Sequence, residues 1–214
     1  MLKGKKILLT VGPTREYLDP VRYITNESSG KMGFAIAEEL HKENAELIIV
    51  SGPVNIQPNV PEKDIKKVTT ALEMYEECQK HFNDVDIAIF TAAVADYRPK
   101  QQAASKIKKD GDITIVEFVK NPDIAVEFGK IKLPHQISLG FALETDNAIE
   151  NAQEKMTKKG FDMIVINSPN VGEGFGYDTN KVSILINGQN IQDYPLKSKS
   201  EVAKDIVEKI KYLI

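Results

Sequence analysis

Four short apolar runs punctuate the first hundred residues, and turn-forming or small polar residues close them. "KKILLTV" (5–11) stops at Gly-Pro-Thr, "AELIIVSGP" (45–53) closes on Gly and Pro, "IKKVTT" (65–70) is a third, and "DIAIFTAAVAD" (86–96) runs into small residues and an aspartate. Runs of this length that are apolar throughout, rather than alternating, predict strands covered on both faces. Between the first two, Met32, Phe34, Ala35, Ile36, Ala37 and Leu40 follow helical spacing from Lys31 to about Asn44. Thr70 and Glu73 make a Thr-x-x-Glu capping box that opens a helix reaching about His81. The order is β-α-β followed by β-α-β, which predicts a mostly parallel sheet with helices on either side.

The pattern changes after residue 100. "SKIKKDGDITIVEFVK" (105–120) places a Gly-centred turn between two extended runs and reads as a hairpin. Asn121-Pro122 reads as the cap of another helix with Pro at its first position. "QISLGFALET" reads as a strand, 146–159 as a helix with Gly160 as its C-cap, and "DMIVIN" as a strand. "NVGEGFGYDTN" (170–180) is a Gly-rich loop, "KVSILING" a strand with an Asn-Gly turn, and Ser198 with Glu201 boxes a last helix whose Val202, Ile206 and Ile210 share one face. No composition break, repeat or low-complexity segment divides residues 1–214, so they read as a single domain.

Composition narrows the function classes. A net charge of −3 argues against a general nucleic-acid surface, which needs a basic excess, while leaving room for small anions held by local lysines. Cys78 is the single cysteine and has no internal partner, so nothing points to secretion. The N-terminus lacks a signal-type apolar core and no apolar run approaches a membrane span, so a cytoplasmic protein is expected. His41, His81 and His135 show no metal-ligand spacing.

Candidate chemistry begins at "TNESSGKMG" (25–33), where small residues run into a helix start. A helix N-terminus offers unpaired N–H groups and the positive end of a dipole, which suit anions. The P-loop pattern fails, because Thr25 and Met32 stand where Gly and Ser/Thr are needed. The dinucleotide fingerprint is half met by Gly30 and Gly33, but Ser28 occupies its first glycine position and Ser51-Gly52-Pro53 replaces the ribose-binding acid. Ser28 or Ser29 serves equally well as an ordinary N-cap. In an open α/β sheet, ligands bind at the carboxyl ends of the strands, where 12–26, which reads as a loop of about fifteen residues too long for a tight dinucleotide turn, Ala92 to Asp96 and the residues after Phe141 would meet. Asp96 also suits a plain turn. In "KIKK" (106–109) a strand would put Lys106 and Lys108 on one face, and a solvated face reads as well as an anion site. Lys155 and Lys159, four apart on a helix, can meet one anion or simply complement the helix dipole.

Taken together, "GPTREYLDPVRYITNESSGKMG", "TAAVADYRP", "KIKK", "NPDI", "GFALET" followed by two spaced lysines, and "DMIVIN" resemble, in order and spacing, phosphopantothenoylcysteine synthetase, the phosphopantothenate–cysteine ligase of coenzyme A biosynthesis. The resemblance spans about residues 4–210. It implies a Rossmann-like three-layer α/β sandwich with a β-hairpin dimerisation arm at about 105–120. It implies the bacterial, CTP-using type: the carboxylate of 4′-phosphopantothenate attacks the α-phosphate of CTP, and the amine of cysteine then attacks the acyl-cytidylate. Mg²⁺ is implied as the triphosphate's counter-ion, with unknown ligands. The resemblance assigns Asn26 to holding the acyl intermediate as an oxyanion-type donor and Lys106 to its conversion. Ser28, Ser29, Gly30 and Lys31 resemble a triphosphate cradle. Thr91, Ala92, Asp96, Lys106, Pro122, Asp123, Ile124, Ala125, Phe141, Lys155 and Lys159 match nucleotide-binding positions. Arg22, Ala92 and Ala93 match positions for the pantothenate phosphate and pantoyl group.

Relatives often carry a flavin-dependent decarboxylase ahead of the ligase motif. Here that motif starts at residue 12, so a stand-alone ligase served by a separate phosphopantothenoylcysteine decarboxylase is expected. Leu143 stands where relatives often have a small residue. The 97–105 loop reads as flexible and as a cover for bound nucleotide. The two competing classes are an NAD(P)-dependent oxidoreductase and a non-catalytic nucleotide-binding subunit. The first lacks its glycine turn, its acid and a Tyr-x-x-x-Lys, since Gln101 stands four after Tyr97. The second has no need of both Asn26 and "KIKK".

Overall fold

The computed structural model of the chain describes residues 1–109, 111–143, 147–167 and 177–214. Strand β1 (Lys6–Val11) enters a two-stranded hairpin, β2 (Arg15–Asp19) and β3 (Arg22–Thr25), before α1 (Lys31–Lys42). Then come β4 (Glu46–Ser51), β5 (Ile65–Lys67), α2 (Ala71–Gln79), β6 (Ile87–Phe90), β7 (Tyr97–Pro99), β8 (Phe118–Lys120) and α3 (Ile124–Ile131). The remainder is β9 (Ile137–Leu143), α4 (Ala148–Lys159), β10 (Met163–Asn167), β11 (Thr179–Asn180), β12 (Val182–Ile186), β13 (Gln192–Asp193), β14 (Lys197–Ser198) and α5 (Lys199–Leu213).

The central sheet has the order β13-β12-β10-β9-β6-β1-β4-β5. The six strands from β10 to β5 are parallel, and β12 and β13 close one edge antiparallel. Strand alternation sorts the apolar residues into two layers. Ile7, Leu9 and Val11 face the core shared with Phe34, Ile36 and Leu40 of α1 and Val202, Ile206 and Ile210 of α5. Leu8 and Ala88 face the other way, onto Met74 and Cys78 of α2 and Ile124 and Phe128 of α3. Ile164 and Ile166 of β10 meet Ala152 and Met156 of α4 on that same second face. The result is the expected three-layer, Rossmann-like sandwich. Burial pushes the Cys78 thiol up to about 12 and leaves it inert.

Order in the parallel strands decides where a ligand can sit. After β1 the chain crosses toward β4; after β5 it returns through α2 to β6 on the other side. The crevice therefore opens above β1 and β6, at the switch point of the sheet.

Several sequence expectations need correction. Residues 12–26 are not a loop but contain the β2–β3 hairpin, pinned to the start of α2 and its approach, where Glu16 accepts from Ala71 N at 2.9 Å and Arg15 N donates to Thr69 O at 2.8 Å. Helix α1 has Gly30 at its N-cap rather than Ser28 or Ser29: Gly30 takes a left-handed φ of 75°, while Ser28 Oγ and Ser29 Oγ accept from Gly30 N and Lys31 N at 3.4 and 3.5 Å. Helix α3 starts at Ile124 with Asp123 as its N-cap, accepting from Val126 N at 3.2 Å, so Pro122 lies before it. The capping boxes at Thr70 and Ser198 and the left-handed Gly160 cap are as expected.

The 105–120 hairpin is also displaced. The antiparallel pairing joins β7 to β8, that is 97–99 with 118–120, which also makes the start of the 97–105 loop a strand. Residues 105–109 do not pair with 113–117, because the peptide of Ile107 is already taken: its N–H donates to Asp19 and its carbonyl accepts from Arg22. Ile113 and Ile115 are left 81% and 91% exposed. Residue 110, residues 144–146 of the expected strand and helix, and residues 170–176 of the Gly-rich loop lie outside the described residues.

Gly140 in β9 tests the tightness of the second layer. A Cβ there would lie 2.2 Å from Cε2 of the buried Phe161, whose ring is stacked on Phe90 at 5.9 Å. Gly140→Ala is therefore expected to destabilise the fold by about 1–3 kcal/mol, the usual cost of overpacking, seen as a lower urea midpoint with an unchanged m-value.

Candidate active site

The segment that follows β6 supplies small residues, and their backbone groups fall outside the sheet ladder. They are satisfied one by one from other elements. Thr91 donates through N and Oγ1 to Thr10 O at 3.2 and 2.7 Å. Ala93 N donates to Gly12 O at 3.0 Å, and Ala95 N to Thr14 Oγ1 at 3.0 Å. Asn26 Nδ2 donates to Ala93 O at 3.2 Å and Val94 O at 3.1 Å, and Asn121 Nδ2 to Ala95 O at 2.8 Å. The amide of Asn26 faces two carbonyls, so its nitrogen must point at them and its oxygen away. The expected oxyanion-type donor is thus spent on the backbone.

Above this floor lies a cleft of about 620 Å³, within the roughly 300–1,000 Å³ of small-molecule sites. Its walls include Asn26, Ala92, Ala93, Asp96, Pro122 to Ala125, Phe141, Lys155 and Lys159. A smaller cavity of about 190 Å³ shares Ala92, Ala93, Phe141 and Leu143 with it and is lined by Ser28 to Gly33, Thr91, Asn167, Asn180 and Lys199. Helix α1 comes this close because Gly33 has no side chain: a Cβ would sit 2.4 Å from Thr91 Oγ1. A third hollow, about 600 Å³, lies by β4 and β5 beside Val54 and Val60 and holds none of the candidate residues.

The two cavities carry cations held against acids. Lys31 pairs with Asp178, whose carboxyl it holds below the usual carboxylate range. Lys159 pairs with Asp123 at 3.1 Å. Burial pushes the Lys199 ammonium below its ordinary value, the nearby Lys31 charge adding to the effect, and its Nζ donates to Tyr177 O at 2.6 Å. Among the described residues, the amide oxygens of Asn167 and Asn180 are the only buried side-chain polar atoms without a hydrogen-bond partner. As acceptors they suit a ligand hydroxyl or a metal-bound water rather than a phosphate oxygen.

Residues 2–213 match the family model described as the DNA/pantothenate metabolism flavoprotein C-terminal domain. The chain belongs to this family. It is 47% identical over 210 residues to the coenzyme A biosynthesis bifunctional protein CoaBC of Borreliella burgdorferi, across 97% of this chain and 52% of that protein. It is 42% identical over 214 residues to a protein named cysteine/cysteine sulfinic acid decarboxylase from an unknown prokaryotic organism, across 100% of this chain and 60% of that protein. The chain thus spans little more than half the length of these relatives. A crystal structure of the C-terminal domain of CoaBC superposes with a TM-score of 0.83 at 39% identity, covering 99% of this chain and 96% of that one.

Most of the candidate residues in this family member converge on the two cavities, but two do not line them. Lys106 is exposed in the segment between β7 and β8. Arg22 turns its guanidinium onto Asp19 and Ile107 O. Sequence reasoning missed Asn121, Asn167, Asn180 and Lys199. Asn121 and Asn167 stood inside quoted motifs, while Asn180 and Lys199 had no local signal, being delivered by the β11–β14 pairing. A Cβ on Gly12 or Gly30 would lie 2.7 or 2.8 Å from Val54 Cγ1, so these two glycines make room for a valine.

Asn26→Asp would set a carboxylate against two carbonyl oxygens. We expect a loss of about 0.5–1.5 kcal/mol, the net worth of a hydrogen bond that water can partly replace at this exposed residue, measured by urea denaturation at pH 7. A loss near zero would mean that Asn26 does not hold the 93–94 backbone.

Proposed function

We propose that the chain is a phosphopantothenate–cysteine ligase that activates its acid with CTP. The observation that carries the reading is the convergence of Asn26, Ala92 to Asp96, Phe141 and the paired lysines on one cleft at the switch point. Family membership and the CoaBC relatives support the pathway; the choice of CTP rests on the "KIKK" and "SSGKMG" motifs.

A carboxylate is a poor acylating agent for an amine at neutral pH. In the proposed reaction its oxygen attacks the α-phosphorus of CTP, the bond to the β-phosphate breaks, and pyrophosphate leaves. The cysteine amine then attacks the acyl carbon, the carbon–oxygen bond to the cytidylate breaks, and CMP leaves with the former carboxylate oxygen. The amine's surplus proton passes to water.

The residues divide this work. Ala92 and Ala93 let the acyl-cytidylate lie against the backbone, and Phe141 offers the base a flat apolar wall. Lys31, Lys155 and Lys159 meet phosphate charge, as do the N–H groups at the start of α1, with Ser28, Ser29 and Gly30 around them. Asn26, its nitrogen occupied, offers the incoming amine its amide oxygen. Mg²⁺ enters with the triphosphate as substrate. Asp96, on the cleft wall, would be a carboxylate within the site to help hold the ion, which would supply positive charge to the phosphates. A homodimer is part of the proposal, with the exposed Ile113 and Ile115 as the apolar surface that such a contact would cover. The product is the substrate of phosphopantothenoylcysteine decarboxylase, on this or another chain. No described helix is long and apolar enough to cross a membrane.

Purified protein with 4′-phosphopantothenate, Mg²⁺ and CTP is expected to release pyrophosphate, and CMP only once cysteine is added. Preference for ATP would overturn the nucleotide assignment alone. No release with either nucleotide from folded protein would overturn the ligase.

A further inference from the structure

We propose that Asp19 is a positioning residue for Lys106: its buried carboxylate ties the Ile107 peptide to the β2–β3 hairpin and so fixes where the adjacent lysine is carried. The inference rests on the ligase reading for the importance of Lys106, but the clamp itself is independent of it.

Asp19 is fully inaccessible, and both of its oxygens are occupied. Oδ1 accepts from Val21 N and Arg22 N at 3.0 Å, which is an ordinary turn for an aspartate. Oδ2 is used differently. It accepts from the Arg22 guanidinium and, across 88 residues of sequence, from Ile107 N at 3.0 Å. Arg22 Nη2 then donates to Ile107 O at 2.9 Å. Both backbone polar groups of Ile107, one on each of its flanking peptides, are therefore gripped by one ion pair, and Ala103 N adds a bond to Leu18 O at 2.9 Å. These contacts anchor the middle of an otherwise unladdered stretch.

The anchor is stiff because the hairpin is. Glu16, 2% exposed, fastens β2 to the start of α2, and Thr25 Oγ1 donates to Thr14 O at 2.7 Å. The same hairpin delivers Asn26 to the cleft. One rigid piece thus sets both Asn26 and the backbone next to Lys106, and Arg22, which holds that backbone, stands four residues from Asn26 along the hairpin, on the order of 13 Å. Arg22 already neutralises the carboxylate, so its influence on Lys106 is one of place rather than of field.

Amide hydrogen exchange and steady-state kinetics on Asp19→Asn, Ile107→Pro and Lys106→Ala, alone and combined, test this. Ile107→Pro removes one N–H from an exposed segment and leaves the Asp19–Arg22 pair whole, so it stands in should Asp19→Asn fail to fold. We expect accelerated exchange across 105–109 in Asp19→Asn. We expect kcat to fall about tenfold or more in either clamp variant, as misplacement of a reacting group does, with KM for CTP within about twofold. In the Lys106→Ala background the clamp variants should add less than about twofold, because residues that act through one another are not additive. An equal loss in that background, or full kcat with exchange accelerated, would overturn the proposal. Unchanged exchange would overturn the clamp. Wild-type protein that makes no product would end the ligase reading alone, and exchange would still decide whether Asp19 holds the segment.

Discussion

The structure depends on satisfying a stretch of backbone that no strand can serve. Residues 91–96 leave β6 as a run of small side chains, and their N–H and C=O groups would be costly to bury unpaired. Thr10, Thr14, Asn26 and Asn121 answer them from four separate places in the chain. This constraint draws the β2–β3 hairpin over the sheet, places Asn26 at the cleft and brings the start of α3 alongside. The small side chains then leave a flat polar floor at the switch point. The site is a consequence of closing the fold there.

Charge follows the same economy. Lys31, Lys159 and Arg22 are each held by a carboxylate at the edge of the cleft or on the hairpin beside it. The first two pairs are solvent-accessible, and such pairs contribute only about 0–1 kcal/mol each. A triphosphate carrying several charges can replace Asp178 or Asp123 as the partner at small cost. The Arg22–Asp19 pair differs, since its carboxylate is buried and also accepts from three backbone N–H groups. Arg22 hydrogen bonding pulls the Asp19 carboxyl far below its ordinary value, so the clamp is charged throughout the neutral range. It is built to stay closed, which suits a mechanical part better than a ligand-binding one.

The layers of the fold were legible because each rests on local pattern. Continuous apolar strands, the Thr70 and Ser198 boxes and the Gly160 cap all act within a few residues. Expectations failed where a distant partner decided. The 12–26 hairpin is held by Glu16 and Arg15 reaching α2 and its approach, and the 105–120 hairpin is displaced by Asp19. The serine caps gave way to Gly30, which is preferred for its left-handed backbone and for the contact with Val54. At the site, residues in contiguous motifs were readable, while Asn180 and Lys199 arrive through a two-residue strand pair that leaves almost no pattern. The position of Lys106 outside the cavities was unreadable for the same reason.

The central claim is that the cleft activates a carboxylate by transferring a cytidylyl group to it. Phosphopantothenate labelled with ¹⁸O in its carboxylate tests this most directly. After turnover with CTP and cysteine, mass spectrometry of the CMP should find one ¹⁸O in its phosphate, because the carboxylate oxygen leaves with the nucleotide. Product formed while the CMP carries no ¹⁸O would contradict the acyl-cytidylate and with it the role given to the cleft.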